Sequence, residues 1–515
     1  MIAVQDFVAP TIDIGAVLPI VVVLGAAIIG VLVDAFAPAN RRAVVNASLS
    51  AVAATVAFGW TIAQVGGSAV VTFNGAVVID GPALFAQAAI ALFTLLSVLL
   101  YTERRLDPAG DPFTPSGAVI PGGEVERVLT LQKVQQTEVY PLTLFASGGM
   151  MIFVASNDLL TMFVALEVLS LPLYLLSSLA RRKRLLSQEA GMKYFLLGAF
   201  ASGFFLYGAA LVYGATGSLN LAQIDAGVSG RVGVDSLLLV GMGMLAVGLL
   251  FKISAVPFQF WTPDVYQGAP TPVTAFMAAA TKTAAVVALM RLLYVGLGGL
   301  VEDWTILLWV IAAVTMLLGS VLALTQTDVK RMLAYSSIAH AGFLLVGIVA
   351  ADENGTAAVL FYLLAYGIAT IGAFAVVTLV RDAGGEATHL SQWAGLGRRS
   401  PVLASVFALF LLSFAGIPLT SGFIGKLTVF SAAFDAGQGA LVIIGLVSSA
   451  IAAFFYVRVI VLMFFSDPAE GGAAVGVPSA GTTAVITATA LITVLLGVVP
   501  GPVLELAQMA SEFVR

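Results

Sequence analysis

The chain has 515 residues, of which 60% are hydrophobic and only 10% are charged, and its mean hydropathy is +1.04. A soluble globular protein carries roughly a quarter charged residues, so water is excluded as the solvent for most of this chain. The formal net charge of -5 speaks against a nucleic-acid partner, and a chain with no Cys and two His cannot hold iron–sulfur clusters or Cys/His zinc sites. Any redox cofactor must therefore sit in a partner protein.

Apolar runs of roughly 20 residues, the length that crosses a bilayer, follow one another along the whole chain. Because the runs are continuously apolar rather than alternating, helices are favoured over a barrel. We therefore predict an all-α integral membrane protein with about fourteen transmembrane helices. The runs are 14–36, 44–65, 82–102, 141–156, 158–180, 188–213, 236–260, 272–297, 304–326, 332–350, 356–380, 401–434, 438–465 and 480–511.

The first part of the chain divides into a membrane segment and a polar loop. Residues 1–102 are predicted to form three transmembrane helices with an external β-hairpin at Val70 to Ile79, because Asn74-Gly75 is the dipeptide that a tight hairpin turn prefers. A mobile loop is the alternative for this stretch. Residues 103–138 form the longest polar stretch, rich in Pro and Gly, and are predicted to be a cytoplasmic loop.

Basic residues are concentrated in alternate loops, whereas the other loops hold acidic residues, with Arg231 as the exception. Since loops rich in Lys and Arg stay in the cytoplasm, this pattern places both termini outside. The basic residues that set the orientation are Arg41, Arg42, Arg104, Arg105, Arg181 to Arg184, Lys330, Arg331, Arg381, Arg398 and Arg399.

Charged residues interrupt four apolar runs far from their ends: Glu167, Lys252, Lys282 and Lys426. Each costs at least about 2.5–3.5 kcal/mol at the bilayer centre on insertion scales, so each needs a partner, water or a function. A buried lysine beside a movable carboxylate can alternate between holding and releasing a proton, which favours a proton path. Static ion pairs that hold the bundle together are the alternative.

Two of these lysines stand next to helix breakers. Pro257 follows Lys252, and Gly416 with Pro418 precedes Lys426, so both spans are predicted to be interrupted inside the membrane. Interrupted helices leave carbonyl and amide groups free within the membrane, which is how transporters build ion sites at repeat interfaces. The pair of broken, lysine-bearing spans predicts an internal repeat.

Further candidates are less specific. His340 is the only histidine within a run and can pass protons near neutral pH, but a satisfied core histidine is an equal alternative. Lys193, beside Glu189 at the start of a span, is either a further proton carrier or a surface charge. Arg291 lies near the end of a run, where its side chain can reach towards water.

The residues around these charges resemble the N-subunit family of bacterial respiratory complex I, the proton-translocating NADH:quinone oxidoreductase, which is one of that complex's antiporter-like subunit families. The resemblance covers the chain from about the first run to the last. Its siblings in that complex usually carry a His where this chain has Gln259, and one of them ends its path on a Glu where this chain has Lys426. The matching stretches are 166–174, 189–198, 251–270, 328–340 and 415–426.

The resemblance implies two inverted five-helix repeats, each with a broken helix, at 139–300 and 301–465, followed by a C-terminal loop and helix at 466–515. It implies that Glu167 and Lys252 form a modulating pair, that Lys282 connects the two halves, and that Lys426 is the terminal lysine. It further implies a multi-pass protein of the bacterial inner membrane that moves protons. Its partners would be lipids and other membrane-arm subunits, including another antiporter-like subunit, while flavin, iron–sulfur clusters and quinone would be bound by other subunits.

Three alternatives remain open on the sequence. A multisubunit Na⁺/H⁺ antiporter has the same fold and the same paired broken helices. A structural membrane scaffold would hold its buried charges in static pairs. A membrane-bound hydrogenase subunit is the third.

Overall fold

In a bilayer the backbone must satisfy its own hydrogen bonds, and the long apolar runs do so as α-helices. The computed structural model describes residues 12–107, 110–229, 236–382, 384–468 and 472–514. The first half of the chain contains α1 (Ile14–Phe36), α2 (Ala39–Gln64), α3 (Gly81–Tyr101), α4 (Glu124–Leu131), α5 (Val139–Ala155), α6 (Leu159–Ser177), α7 (Arg184–Thr216), α8 (Leu221–Ser229) and α9 (Ser236–Ile253).

The second half begins with three short helices, directly after the first interruption, and continues into longer ones. Its helices are α10 (Trp261–Gly268), α11 (Thr271–Phe276), α12 (Lys282–Arg291), α13 (Val301–Leu324), α14 (Val329–Val349), α15 (Glu353–Leu379), α16 (Leu396–Arg399), α17 (Pro401–Ala415), α18 (Ser421–Asp435), α19 (Gly439–Phe465), α20 (Ala480–Val498) and α21 (Gly501–Met509). Two π-helical segments, Met277–Thr281 and Leu292–Gly296, flank α12.

The helices confirm the membrane class. Among the described residues, 12 helical stretches are long and apolar enough to cross a membrane, and Val139–Ala155 and Pro401–Ala415 are shorter apolar helices. The count of about fourteen spans stays a prediction. The single run at 480–511 was wrong in one respect: α20 ends at Val498 and α21 begins at Gly501, since Pro500 cannot continue the hydrogen-bond ladder of a helix.

Both predicted interruptions are present. The first span breaks between Ile253 and Trp261, directly after Lys252, and the second breaks between Ala415 and Ser421, before Lys426. The first break is supported by α13, whose Thr315 hydroxyl accepts from the Val256 N–H at 3.0 Å. These broken spans fall within the predicted segments 139–300 and 301–465, whose relation as inverted repeats stays a prediction.

The structure contains the predicted hairpin. Strands β1 (Val70–Thr72) and β2 (Val77–Ile79) pair antiparallel, with Val70 opposite Ile79. The turn is longer than a two-residue turn, because Thr72 pairs with Val77 and leaves the four residues 73–76 between them. Three of these, Phe73, Asn74 and Gly75, have positive φ. At the opposite end of the bundle, β3 (Val380–Asp382) pairs with β4 (Gly385–Glu386) and with β5 (Ala474–Val475).

The basic loops meet at one end of the bundle, which we call the basic end. There the Asp107 carboxylate accepts from Arg182 at 3.0 Å and from Arg381 at 3.4 Å, and so joins three separate loops. At the other, acidic end, carboxylates accept from backbone N–H groups in the first turns of helices, as N-cap residues do. These N-caps are Asp13, Asp80, Asp158 and Asp352. Arg231 lies outside the described residues.

The 103–138 loop is anchored on the basic end by buried ion pairs. Arg181 meets Asp111 at 2.8 Å, and both side chains are less than a tenth exposed. Arg184 meets Glu126 of α4 at 3.4 Å. Burial by itself raises the pKa of Glu103, but hydrogen bonds from the Ser479 N–H and from Thr482 outweigh it and hold the pKa below its usual value. The loop is therefore a fixed cover rather than a free linker.

Replacing Asp111 with Ala should release this cover. Breaking a buried pair by removing one partner costs about 3–5 kcal/mol, because the remaining charge of Arg181 stays buried without its counter-ion. We expect proteolysis within 103–138 to accelerate at least about tenfold in purified membranes. The exposed Glu124, in the same loop, provides the matched control as Glu124→Ala. Equal cleavage rates in the two variants would contradict the anchoring role of Asp111.

Candidate functional site

Lys252 lies at the C-terminal end of α9, directly before the first break, and its side chain is 3% exposed. Its ammonium group stands 4.9 Å from the centroid of the Tyr194 ring and 5.1 Å from that of Tyr174. The Tyr194 hydroxyl is 3.5 Å away, at the limit of a hydrogen bond. Trp261, the first residue after the break, stacks on Tyr194 and donates to the Phe251 carbonyl at 2.9 Å, which closes this aromatic site. Lys252 is thus held weakly.

Glu167 lies in the middle of α6 and acts electrostatically on Lys252 and Tyr174. Within the described parts of the chain, its carboxylate takes part in no ion pair within 4.0 Å, and its Oε1 atom is buried without a hydrogen-bond partner. A buried, unsatisfied carboxylate oxygen is costly. The predicted pair is therefore a separated one, and its interaction energy depends on small movements of either side chain.

Lys282 is the first residue after the π-helical segment Met277–Thr281, and its side chain is 2% exposed. Its ammonium donates to the Ser337 carbonyl and, at 2.6 Å, to the Ser337 hydroxyl. The Tyr366 ring lies beneath it, with the centroid 5.4 Å away. All of these partners are neutral. The π-helical turn re-aims the start of α12, so that this lysine points across the bundle to α14.

His340 lies one turn beyond Ser337 on α14 and is 2% exposed. Its Nδ1 atom is 2.7 Å from the Tyr362 hydroxyl and its Nε2 atom is 3.4 Å from the Tyr456 hydroxyl. The ring also packs on Tyr366, which lies beneath Lys282, with centroids 4.6 Å apart, and on Phe343, which lies beneath Lys426, with centroids 5.7 Å apart. His340 thus lies between the last two lysines, rather than on an isolated apolar face.

Lys426 is one turn into α18, after the second break, and is 5% exposed. Its ammonium donates to the Phe414 carbonyl at 2.9 Å, to the Ala415 carbonyl at 3.1 Å and to the Ser449 hydroxyl at 2.8 Å. These carbonyls form the C-terminal end of α17, where the helix dipole is negative. The chain turns away there at Gly416 (φ +82°), where a Cβ atom would come within 2.9 Å of the lysine side chain.

The structure thus brings four of the predicted residues into a series and leaves one gap. Tyr366 contacts both Lys282 and His340, and the tyrosine pair at His340 leads towards Lys426. Between Lys252 and Lys282 the link is the packing of α9 on α12, and among the described residues no hydrogen bond joins the two lysines. Sequence reasoning missed the connecting tyrosines and Ser337; Tyr362 and Tyr366, four residues apart in an apolar run, were the available signal.

Two other residues are placed differently. Lys193 lies at the basic end, with its side chain 42% exposed, and pairs with Glu189 and Asp264 at 2.6 Å each, away from the buried series. This position fits the surface-charge alternative. Arg291 does not reach towards water as expected: it is 0% exposed, because it pairs with the buried Asp80 at 2.5 Å. In the part of the chain that the structure describes, no group of three or more His, Asp and Glu side chains could hold a metal ion.

Comparisons with known proteins show the family to which the chain belongs. A family model described as "NADH:quinone oxidoreductase/Mrp antiporter, TM" matches residues 156–452. The chain is 54% identical to "NADH-quinone oxidoreductase subunit N 3" of Streptomyces griseus, over 99% of this chain and 96% of that protein. It is 56% identical to "NADH-quinone oxidoreductase subunit N" of a Nocardioides species, over 99% of this chain and 100% of that protein.

Solved structures show the same fold. A chain of respiratory complex I from Thermus thermophilus has a TM-score of 0.76 at 33% identity, covering 95% of this chain and 99% of that chain. A chain of the Mrp complex from a Dietzia species has a TM-score of 0.78 at 23% identity, covering 97% of both chains, and shows the fold alone. The chain therefore belongs to the NADH:quinone oxidoreductase/Mrp antiporter family, and within it to the antiporter-like N subunits of NADH-quinone oxidoreductase.

Proposed function

We propose that this membrane-arm subunit carries protons across the membrane through Glu167, Lys252, Lys282, His340 and Lys426, driven by redox chemistry in other subunits. In this proposal the chain is a non-redox subunit of the proton-translocating NADH:quinone oxidoreductase. The observation that carries the proposal is the set of partners of Lys282 and Lys426, which are all neutral carbonyl and hydroxyl oxygens. A purely structural role would pair each buried lysine with a carboxylate, because burying an unpaired ammonium group in the membrane costs free energy.

Glu167 and Lys252 provide the switch. At an effective dielectric constant of about 20, a change of separation from about 4 to about 8 Å alters the interaction of two unit charges by roughly 2 kcal/mol. This is comparable with the roughly 2.3 kcal/mol needed to move one charge against 100 mV. One such step is marginal by itself, so the later sites must act in concert. Lys252 would pass its proton through water and Lys282 to His340 and Lys426, which exchanges it with one side.

The position of Glu167 supports a neighbouring subunit. On α6, Val164 and Leu171, three residues before and four residues after Glu167, are half exposed, as are Leu160 and Leu175. A carboxylate beside an apolar stripe that faced only lipid would be costly. We infer that another membrane-arm subunit, of the antiporter-like kind, covers this stripe and moves Glu167, while lipids cover the other apolar faces. Flavin, iron–sulfur clusters and quinone belong to other subunits.

The charge asymmetry of the ends supports an orientation. Loops rich in Lys and Arg remain in the cytoplasm, so the basic end faces the cytoplasm of the bacterial cell and the hairpin faces outwards. Both termini then lie outside. The segments 139–300 and 301–465 act as two inverted half-channels, which the buried series of Lys252, Lys282, His340 and Lys426 connects.

Two properties separate this function from the two main alternatives: the cation and energy source that transport requires, and the effect of removing a buried charge. A multisubunit Na⁺/H⁺ antiporter subunit would depend on Na⁺ rather than on NADH, and the subunit N relatives favour NADH. A structural scaffold would tolerate loss of a buried charge in complexes that still assemble. Both alternatives are tested by the same assay.

Replacing Lys252 with Ala should lower NADH oxidation and NADH-driven proton pumping together, by at least about tenfold, in proteoliposomes containing assembled complex. The variant removes the charge on which Glu167 acts, and a tenfold loss corresponds to about 1.4 kcal/mol. Lys252→Met, which keeps most of the side-chain volume, should behave alike and so separates charge from cavity effects.

Lys193→Ala is the matched control, because this lysine is half exposed and outside the buried series. It should keep more than half of the wild-type rate. If Lys252→Ala also retained wild-type oxidation and pumping, the central lysine would be structural and the proposed path wrong.

His340→Gln tests the link between Lys282 and Lys426. Glutamine can still bond to the hydroxyls of Tyr362 and Tyr456 but cannot carry a proton, so pumping should fall at least about tenfold while assembly is retained. His389, exposed in a loop of the basic end, supplies the control as His389→Gln. Wild-type pumping by His340→Gln would remove His340 from the path.

A further inference from the structure

A cavity of about 70 Å³ opens at the basic end, between the 103–138 loop, the α10–α11 corner and the β3–β4 hairpin. One water needs roughly 10–15 Å³ by this kind of measure, so the cavity has room for several. Its rim carries Arg182 and Arg381, which are both bonded to Asp107. These three charges are therefore already engaged with one another. Of the other charged residues that line the cavity, Glu103 accepts from Ser479 and Thr482, and Lys183 donates to Thr388.

Lys330 and Glu386 complete the charged lining of the cavity. Lys330, near the start of α14, is 3% exposed, and its ammonium donates to the Ala269 carbonyl at 2.8 Å. The Glu386 side chain is 20% exposed, accepts from the Thr271 hydroxyl, and has its Oε2 atom 4.0 Å from the Lys330 ammonium. The carboxylate thus touches the cavity, and the amine lies behind it, at the edge of ion-pair distance.

Helix α14, which carries Lys330, leads inwards from the cavity to the buried series of Lys282, His340 and Lys426. Ser337 follows Lys330 by seven residues, which is two helical turns, so the two lie on one face of α14 about 10 Å apart. Ser337 is the residue that holds Lys282. Helix α10, which ends at the corner that Lys330 binds, also packs on α14. The face of α14 that carries Lys330 and Ser337 therefore runs from the cavity to Lys282.

We propose that Glu386 and Lys330 form the proton intake from the basic end to Lys282, an inference that rests on the proposed function and adds its uptake site. The Glu386 carboxylate takes a proton from a hydronium ion in the cavity and leaves water. The acid then gives this proton to the neutral amine of Lys330, which regenerates the carboxylate and forms the ammonium. The ammonium releases the proton along the side of α14 that carries Ser337, and Lys282 receives it.

A static clamp is the competing reading of the same contacts. Lys330 bonds to the carbonyl end of α10, and Glu386 bonds to Thr271, the first residue of α11, so the pair also fastens the corner between them. Glu386→Gln separates the two roles. The amide oxygen still accepts from Thr271 and the volume is unchanged, so a clamp survives, whereas an amide cannot relay a proton.

We expect assembled complex with Glu386→Gln to lose at least about tenfold in both NADH oxidation and proton pumping, and to show a larger rate decrease in D₂O than the wild type, because uptake becomes limiting. Glu386→Asp should restore part of the rate. Asp382→Asn, which removes an exposed carboxylate of the same hairpin outside the cavity, should leave both unchanged. Wild-type rates and an unchanged D₂O effect in Glu386→Gln would overturn the proposal.

A second experiment does not depend on how the Gln variant folds. The chain has no Cys, so Gly384→Cys places one thiol of this subunit on the cavity rim, and Asp382→Cys places one nearby but outside it. Treatment of each assembled complex with a charged methanethiosulfonate reagent should block pumping only in Gly384→Cys, with treated wild type correcting for thiols in other subunits. Complete labelling of Gly384→Cys without loss of pumping would overturn the intake site.

The Lys252 and Glu386 results together locate a failure. If Lys252→Ala is inactive while Glu386→Gln and labelled Gly384→Cys pump normally, protons enter elsewhere and only the intake assignment is wrong. If Lys252→Ala pumps normally as well, the proposed function itself fails.

Discussion

An ammonium group inside an apolar bundle has to be held by oxygen atoms, and this bundle supplies most of them where its helices end. Lys426 binds the carbonyls at the end of α17, and Lys330 binds the carbonyl that follows α10. Lys282 is directed to a carbonyl of α14 by the π-helical turn before it. The free carbonyls of a helix lie in its last turn, so Lys426 and Lys330 depend on the helix ends beside them, whereas Lys282 uses the Ser337 hydroxyl together with a carbonyl inside α14.

Lys252 differs from these lysines, and the difference fits the switch role that we propose for it. No carbonyl holds it among the described residues; its surroundings are the rings of Tyr174 and Tyr194 and one distant hydroxyl. Its one charged neighbour, Glu167, is separated from it and incompletely satisfied. A weakly held amine responds most to the movement of a carboxylate, whereas the carbonyl-bound lysines are better suited to receive and store a proton.

Tyrosine side chains connect Lys282 with His340. Tyr366 lies against both Lys282 and His340, and His340 bonds to two further tyrosines. A tyrosine presents a large apolar ring to the bundle and a single polar atom to the path, so it adds hydrogen-bonding capacity without adding charge to the membrane. The buried series therefore contains few ionisable groups. The rings of its tyrosines pack between the surrounding helices.

Local chemistry accounts for much of what could be predicted from the sequence. Apolar run lengths determined the helical membrane class, Pro257 and the Gly416 to Pro418 stretch determined the breaks, and Asn74-Gly75 determined the hairpin, because each depends on backbone energetics within a few residues. The cost of charge in lipid also singled out the buried lysines.

Tertiary structure alone decided which of these groups meet. It left Lys193 at the surface, buried Arg291 against Asp80, inserted His340 between two lysines and joined three loops at Asp107. None of these follows from spacing along the chain, because the partners are distant in sequence and come together only through the packing of whole helices. The sequence by itself determined where charge and interruption occur in the membrane, and the three-dimensional packing determined their order and connection, since hydrogen bonds depend on distance in space.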